Sequence, residues 1–399
     1  MQLRRCANLI IEPREDLRFD LESLLSGGDG LRSELCLLAL APHLQKQIPV
    51  SSAEVELLAA IPSEIWSDAG KIATAENATL LQQLIAKGLL ISNDTTNADI
   101  RQRDELLRQG NWQSLAAANH YFGRWQDIRS GEASRQVGYS TLAELVAKLG
   151  TPPPPVKEHT AAADRIRLPV AEPNDFDQLL RRRVTCRNFN ADAWLGHDVF
   201  ATMLHRVFGA QAAVPIDNGN NAVLKRNSPS GGGLHPTEAY LLVQRVEGLV
   251  PGIYHYHPID HALEPIRELD STAAADLALR SVAAQDYFAS APVLLVMVSR
   301  FPRSFWKYRN HTKAYRVVTL DVGHLSQTLY LSATDLGLGA FITGAINEIE
   351  IEQALGLDPL LESALAVCGF GARAEKLATI EFDPSQQIWD QDGTLRQRR

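Results

Sequence analysis

The chain has 399 residues, 45% of them apolar, with 39 Lys and Arg against 47 Asp and Glu for a formal net charge of −8. That length suits two or three domains with cores of their own, and the composition excludes wholesale disorder. The acidic balance argues against a general affinity for nucleic acid or an anionic membrane, since both need a basic excess.

Residues 2–12 and 17–25 hold short apolar runs that predict strands, parted by a charged turn at 12–16. Residues 31–44 fit strand or helix equally well. Ser51 and Glu54 stand in capping-box spacing before Val55, Leu57, Leu58 and Ile61. Leu80, Leu81, Leu84 and Ile85 line one face of a second helix within 76–90, ended at Gly88 and followed by Leu89-Leu90-Ile91. Helices running into such a strand predict a winged-helix-like module over residues 1–96, a type that binds DNA or peptides or serves structure alone. Residues 97–150 read as a helical extension, and the four prolines at 152–155 begin an extended linker over 151–169.

From residue 170 to 399 helices and strands alternate, which predicts a mixed α/β layer domain. Helices are expected at 175–182, 198–208, 276–287 and 314–336. Strands are expected at 239–243, 293–298, 340–343 and 364–368, with a hairpin at 252–256 and 262–266. Asn347 and Glu350 have capping-box spacing ahead of one more helix. Cys6, Cys36, Cys186 and Cys368 are too scattered for a disulfide framework or a zinc motif, which reads as reduced thiols in a cytoplasmic protein. The longest apolar run, 291–298, is far short of the ~20 residues that span a bilayer, and residues 1–16 lack the apolar stretch of a secretory signal.

Several segments could carry chemistry. If residues 183–187 are extended, Arg183, Thr185 and Arg187 share one face, an arrangement that suits a phosphate monoester. Taken alone, the run is read more plainly as a solvated basic patch. Pro229, Ser230, Gly231 and Gly232 belong to a glycine loop that either brings backbone N–H groups to a ligand or is simply flexible. It is neither a phosphate-binding Walker loop nor a hydrolase elbow. The glycines at 337, 339 and 344 lead from helix into strand, the wrong polarity for a dinucleotide fingerprint. His255, His257 and His261 lack a matching ligand cluster, so no metal is expected. Asp321 and His324, one turn apart on a helix, read as a packing or surface pair. The adjacent Lys307 and Tyr308 could act as acid and base.

In order, these segments resemble the nitroreductase-like flavin fold, and within it the SagB-type peptide maturation dehydrogenases. The resemblance runs through Arg183-x-Thr185-x-Arg187-x-Phe189, Pro229-Ser230-Gly231-Gly232-Gly233-Leu234-His235-Pro236, Pro251-Gly252-x-Tyr254-x-Tyr256, Trp306-Lys307-Tyr308, Asp321-x-Gly323-His324 and Gly337-Leu338-Gly339-Ala340, over about half the chain. It implies an α+β architecture, a nitroreductase-like mixed sheet flanked by helices and preceded by the winged-helix-like domain. It also implies FMN at a homodimer interface. Arg183, Thr185, Arg187 and Arg373 would hold the phosphate and ribityl chain. Pro229, Ser230, Gly231 and Gly232 would line the ring system, and Thr343 with Gly344 would approach its N5 edge. Thr185 stands where Ser is usual and Ala345 where many members have glycine; neither change removes a needed donor.

The activity so implied is oxidation of azoline rings to azoles in a ribosomally made precursor peptide, with Lys307 and Tyr308 as the catalytic pair. A cyclodehydratase partner would supply the azoline, and the N-terminal module would bind the peptide by strand addition. Three alternatives stand beside this reading. One is an FMN-dependent reductase of dehydroamino acids, nitro groups or quinones that uses NAD(P)H. The others are a flavin-less peptide-binding partner of a cyclase and a DNA-binding regulator, the last of which fits the acidic balance poorly.

Overall fold

The computed structural model describes residues 1–139, 141–216 and 221–396, which partition into two compact units. The first comprises residues 1–124, 300–318 and 357–363. Its strands are β1 (Gln2–Arg5), β2 (Ile10–Phe19), β3 (Leu31–Ala41), β4 (Lys46–Val50), β5 (Ser67–Asp68) and β6 (Leu90–Ser92), in two three-stranded sheets ordered β5-β1-β6 and β2-β3-β4.

The charged run at 12–16 is not a turn but the middle of β2. Successive strand side chains point to opposite faces, so Glu12, Arg14 and Asp16 share one face of an edge strand, a position that also tolerates Pro13. The reversal comes later, where Asp20 caps the short helix Leu21–Leu25. Residues 31–41 are strand, followed by a tight turn at Pro42–Leu44. Ser51 and Glu54 do close a capping box on helix Ser52–Ala60, and helix Ala78–Ala86 buries Leu81 and Leu84. These helices pack Leu58, Leu81 and Leu84 with Leu3, Ala39 and Leu90 into one core.

The first unit ends at Arg124, inside the span expected to be a helical extension, and it takes in two later segments. Trp112 explains why. Its ring lies 4.7 Å from Phe301 and 4.8 Å from Phe305, both edge-on, and its indole N–H donates to the Leu360 carbonyl at 3.0 Å.

The second unit comprises residues 125–299, 319–356 and 364–399. A ribbon of β7 (Ala212–Ile216) and β8 (Asn221–Lys225) stands apart from a six-stranded sheet. That sheet is built from β9 (Thr237–Val243), β10 (Gly252–His257), β11 (Ala262–Glu268), β12 (Val293–Arg300), β13 (Gly339–Thr343) and β14 (Glu362–Gly371), in the order β11-β10-β9-β12-β14-β13. Helix His197–Phe208 lays Phe200, Met203, Leu204, Val207 and Phe208 onto it, and helix Ala314–Asp335 adds Val322, Leu325, Leu329 and Tyr330.

Two expectations fail locally. The helix expected at 276–287 is broken into Ser271–Ser281 and Asp286–Ala289 by Ala283 and Ala284, which have φ of 48° and 59°. Helix Glu348–Leu355 forms without its capping box. Asn347 instead accepts from the Ile128 N–H and donates to the carbonyls of Ile128 and Arg280. Among the described residues no helix is long and apolar enough to cross a membrane, and all four cysteines are unpaired.

Candidate active site

Residues 183–188 are extended, and their burial alternates. Val184, Cys186 and Asn188 are buried, while Arg183, Thr185 and Arg187 are partly exposed on the other face. The segment lies beside β13: Thr185 bridges Ala340, whose carbonyl accepts the Cys186 N–H at 2.8 Å. Gly339 makes that approach possible, since a Cβ there would stand 2.5 Å from the Cys186 sulfur.

Tyr330 organises the exposed face. Its hydroxyl lies 3.1 Å from Thr185 Oγ1 and accepts the Ile342 N–H at 3.1 Å, and its ring carries the Arg183 guanidinium at 5.3 Å. Burial pushes the Tyr330 phenol pKa up, and the bonds to Thr185 and Ile342 oppose the rise. Burial likewise raises the pKa of Tyr287, against which the Arg187 charge acts. Neither the Arg183 nor the Arg187 guanidinium donates a hydrogen bond or closes an ion pair among the described residues.

Arg373 is placed differently. Its guanidinium donates to Glu381 Oε2 at 2.7 Å and to the Val184 carbonyl at 2.9 Å, with the two side chains 6% and 0% exposed. It braces the 183–188 segment from within.

The glycine loop is held by Asp321, which is 3% exposed on the Ala314–Asp335 helix. Asp321 accepts from Ser230 Oγ at 2.5 Å and from the Gly231 N–H at 2.9 Å, and Ser230 Oγ accepts the His235 N–H at 2.9 Å. Gly232, at φ 64°, makes the tight turn, and both it and Pro229 are exposed. His324 is exposed, so the two acidic and basic positions of the helix have separate roles. The bracing role of Asp321 is one that spacing alone did not reveal; its signal is its place in the Asp321-x-Gly323-His324 motif.

At the end of β13 the Thr343 hydroxyl turns inward, accepting from Gln285 Nε2 and the Ala345 N–H, each at 3.2 Å. Gly344 is exposed, with no atom within 4 Å of where a Cβ would stand. A ligand there would meet backbone rather than the Thr343 side chain. Gln285, which also donates to the Ala345 carbonyl, carries no sequence signal of its own.

Lys307 and Tyr308 end helix Phe301–Tyr308 in the first unit, whereas the residues above belong to the second. Phe301, Ser304 and Phe305 form the buried face, Lys307 is exposed and Tyr308 partly so, with Lys307 Nζ 5.7 Å from the Tyr308 ring centroid. The three histidines have other partners. His255 bonds to Glu238 and Glu264, which raise its pKa, while His257 pairs with Asp260 and His261 with the Tyr256 hydroxyl.

Residues 180–372 match the nitroreductase family. A Methanocaldococcus jannaschii protein named as a nitroreductase is 31% identical over 198 residues, which is 49% of this chain and 92% of that protein. The chain belongs to the nitroreductase family, and so to the flavin-binding oxidoreductases. It is also similar to the trifolitoxin-processing protein TfxB of Rhizobium leguminosarum bv. trifolii, 33% identical over 144 residues covering 36% of this chain and 38% of TfxB. The microcin B17-processing protein McbC of Escherichia coli is 29% identical over 154 residues, 37% of this chain and 54% of McbC. The chain thus spans about half or less of these two relatives. The donor set fits a flavin nucleotide: two guanidiniums that neither hydrogen-bond nor ion-pair among the described residues suit a phosphate, and the braced glycine loop and open Gly344 admit a flat ring.

Proposed function

We propose that the protein is an FMN-dependent dehydrogenase that oxidises azoline rings to azoles in a ribosomally made precursor peptide. The observation that carries the substrate class is its similarity to two proteins named for processing trifolitoxin and microcin B17. Arg183 and Arg187 hold the phosphate through charge-assisted bonds, and Thr185 adds a hydroxyl. Ser230 to Gly232 present backbone to the ring system, held in shape by Asp321. When bound, FMN supplies a hydride acceptor at its N5 position.

Lys307 removes a ring C–H proton, and Tyr308 orients or relays it. Such base assistance contributes ~10²–10⁴-fold. Arg373 supports the phosphate site from behind through Glu381. The active form is a cytoplasmic homodimer, the azoline comes from a cyclodehydratase partner, and the N-terminal unit binds the precursor by strand addition. Mass spectrometry of a cyclised precursor incubated with the flavin-loaded protein tests the reading: each ring should lose two hydrogens, and an unchanged mass would refute it.

A second reading has its own support, because the archaeal relative spanned almost end to end is named as a nitroreductase. On that reading the same site reduces a small acceptor with NAD(P)H. Consumption of NAD(P)H with nitro or quinone substrates, and no change in an azoline peptide, would favour it.

A further inference from the structure

The segment that follows the last strand returns to residues 187–188 through one carboxylate. Glu381, whose side chain is fully buried, accepts five hydrogen bonds. Oε1 takes the Arg187 N–H at 2.5 Å, the Asn188 N–H at 3.0 Å and Asn188 Nδ2 at 2.9 Å. Oε2 takes Arg373 Nη1 at 2.7 Å and Trp389 Nε1 at 2.8 Å. A carboxylate this deep is tolerated only when it is paired and its lone pairs are filled, and both conditions hold. Asn188 extends the clamp by accepting the N–H groups of Ala378 and Thr379 and donating to the Thr379 carbonyl.

Two consequences reach the outer face. The N–H groups of residues 187 and 188 are fixed inward, which sets the peptide from which Arg187 projects. Glu381 also neutralises Arg373, so the charge offered to a phosphate dianion is that of Arg183 and Arg187, which close no ion pair among the described residues.

We infer that Glu381 is a positioning residue for the phosphate end of FMN, acting through the backbone of Arg187 and through Arg373. This rests on the FMN reading above. Riboflavin, which lacks the phosphate, separates positioning from general support. Fluorescence titration of the full-length chain compares FMN with riboflavin for the wild type and Glu381→Ala. The wild type should prefer FMN, and Glu381→Ala should lose about 10- to 100-fold in FMN affinity with riboflavin within about twofold.

Equal losses for both flavins, or no loss for FMN, would overturn the role of Glu381 while leaving the FMN reading intact. A wild type that binds neither flavin, or does not prefer FMN, would overturn both. If Glu381→Ala does not fold, Glu381→Asp carries the test. It keeps the charge but is one methylene too short to serve both sets of donors. It should show a smaller loss confined to FMN, and wild-type FMN affinity would overturn the inference.

Discussion

Asp321 and Ser230 lie 91 residues apart in sequence and 2.5 Å apart in space, and the same carboxylate takes the Gly231 N–H. The glycine loop is therefore shaped by the long helix and not by its own turn alone. Asp321→Ala would leave two half-buried donors without their acceptor, at about 1–2 kcal/mol of stability. Urea unfolding should show that loss, and the flavin retained per purified chain should fall with it. Asp321→Asn keeps one acceptor oxygen and should fall between the two. Full flavin content in Asp321→Ala would count against the brace.

What the sequence disclosed follows the range of the contacts involved. The alternation at Arg183, Thr185 and Arg187 is a two-residue period, and burial of Val184 and Cys186 realises it directly. The Ser51–Glu54 cap is equally local. The role of Asp321 could not be read that way, because its partner is a distant loop. Nor could that of Trp112, whose partners are Phe301 and Phe305 and which carries the first unit past the proline run, the one boundary visible in composition. Asn347 had the right spacing for a cap but found stronger partners at Ile128 and Arg280. Glu381 carries no local pattern; only the returning chain reveals it.

The three arginines should separate by experiment. If Arg183 and Arg187 hold the FMN phosphate as proposed, changing either to Ala removes one charge-assisted donor worth about 1.5–3 kcal/mol, so FMN affinity should drop about 10- to 150-fold. Rising salt should narrow the difference from wild type, and riboflavin affinity should stay nearly level. Arg373→Ala belongs to another class because it strips a fully buried carboxylate of its partner. It should cost about 3–5 kcal/mol of stability, read as a lower urea midpoint. An Arg373 variant of wild-type stability with weakened FMN binding would return that residue to the phosphate.

Lys307 is exposed at the end of its helix and packs no core, so removing it should spare the fold. Lys307→Ala should bind flavin as the wild type does, with azoline oxidation slowed ~10²–10⁴-fold. Single-turnover bleaching of the flavin absorbance by a cyclised peptide separates this chemistry from product release. Unimpaired bleaching in Lys307→Ala would remove the lysine from the mechanism.

His120 gives the first unit a predictable response to acid. It is 3% exposed, stacked at 5.3 Å on Trp112, and held between the Tyr315 hydroxyl at 3.2 Å and the Pro359 carbonyl at 3.1 Å. A carbonyl can only accept, so Nε2 carries the proton and the neutral ring takes the Tyr315 hydrogen bond at Nδ1. Burial, reinforced by the Arg124 charge, lowers its pKa to about 3. The folded value lies below the unfolded one, so between the two the unfolded chain binds the extra proton. Stability is then complete above the ordinary histidine range and falls as the pH drops through it toward 3. Urea unfolding followed by tryptophan fluorescence should show about 2 kcal/mol lost from this group between pH 7 and pH 5. His120→Gln, which cannot titrate, should be less stable than wild type at pH 7 and close most of that gap by pH 5. A gap that stays constant across this range would mean that His120 does not supply the acid sensitivity.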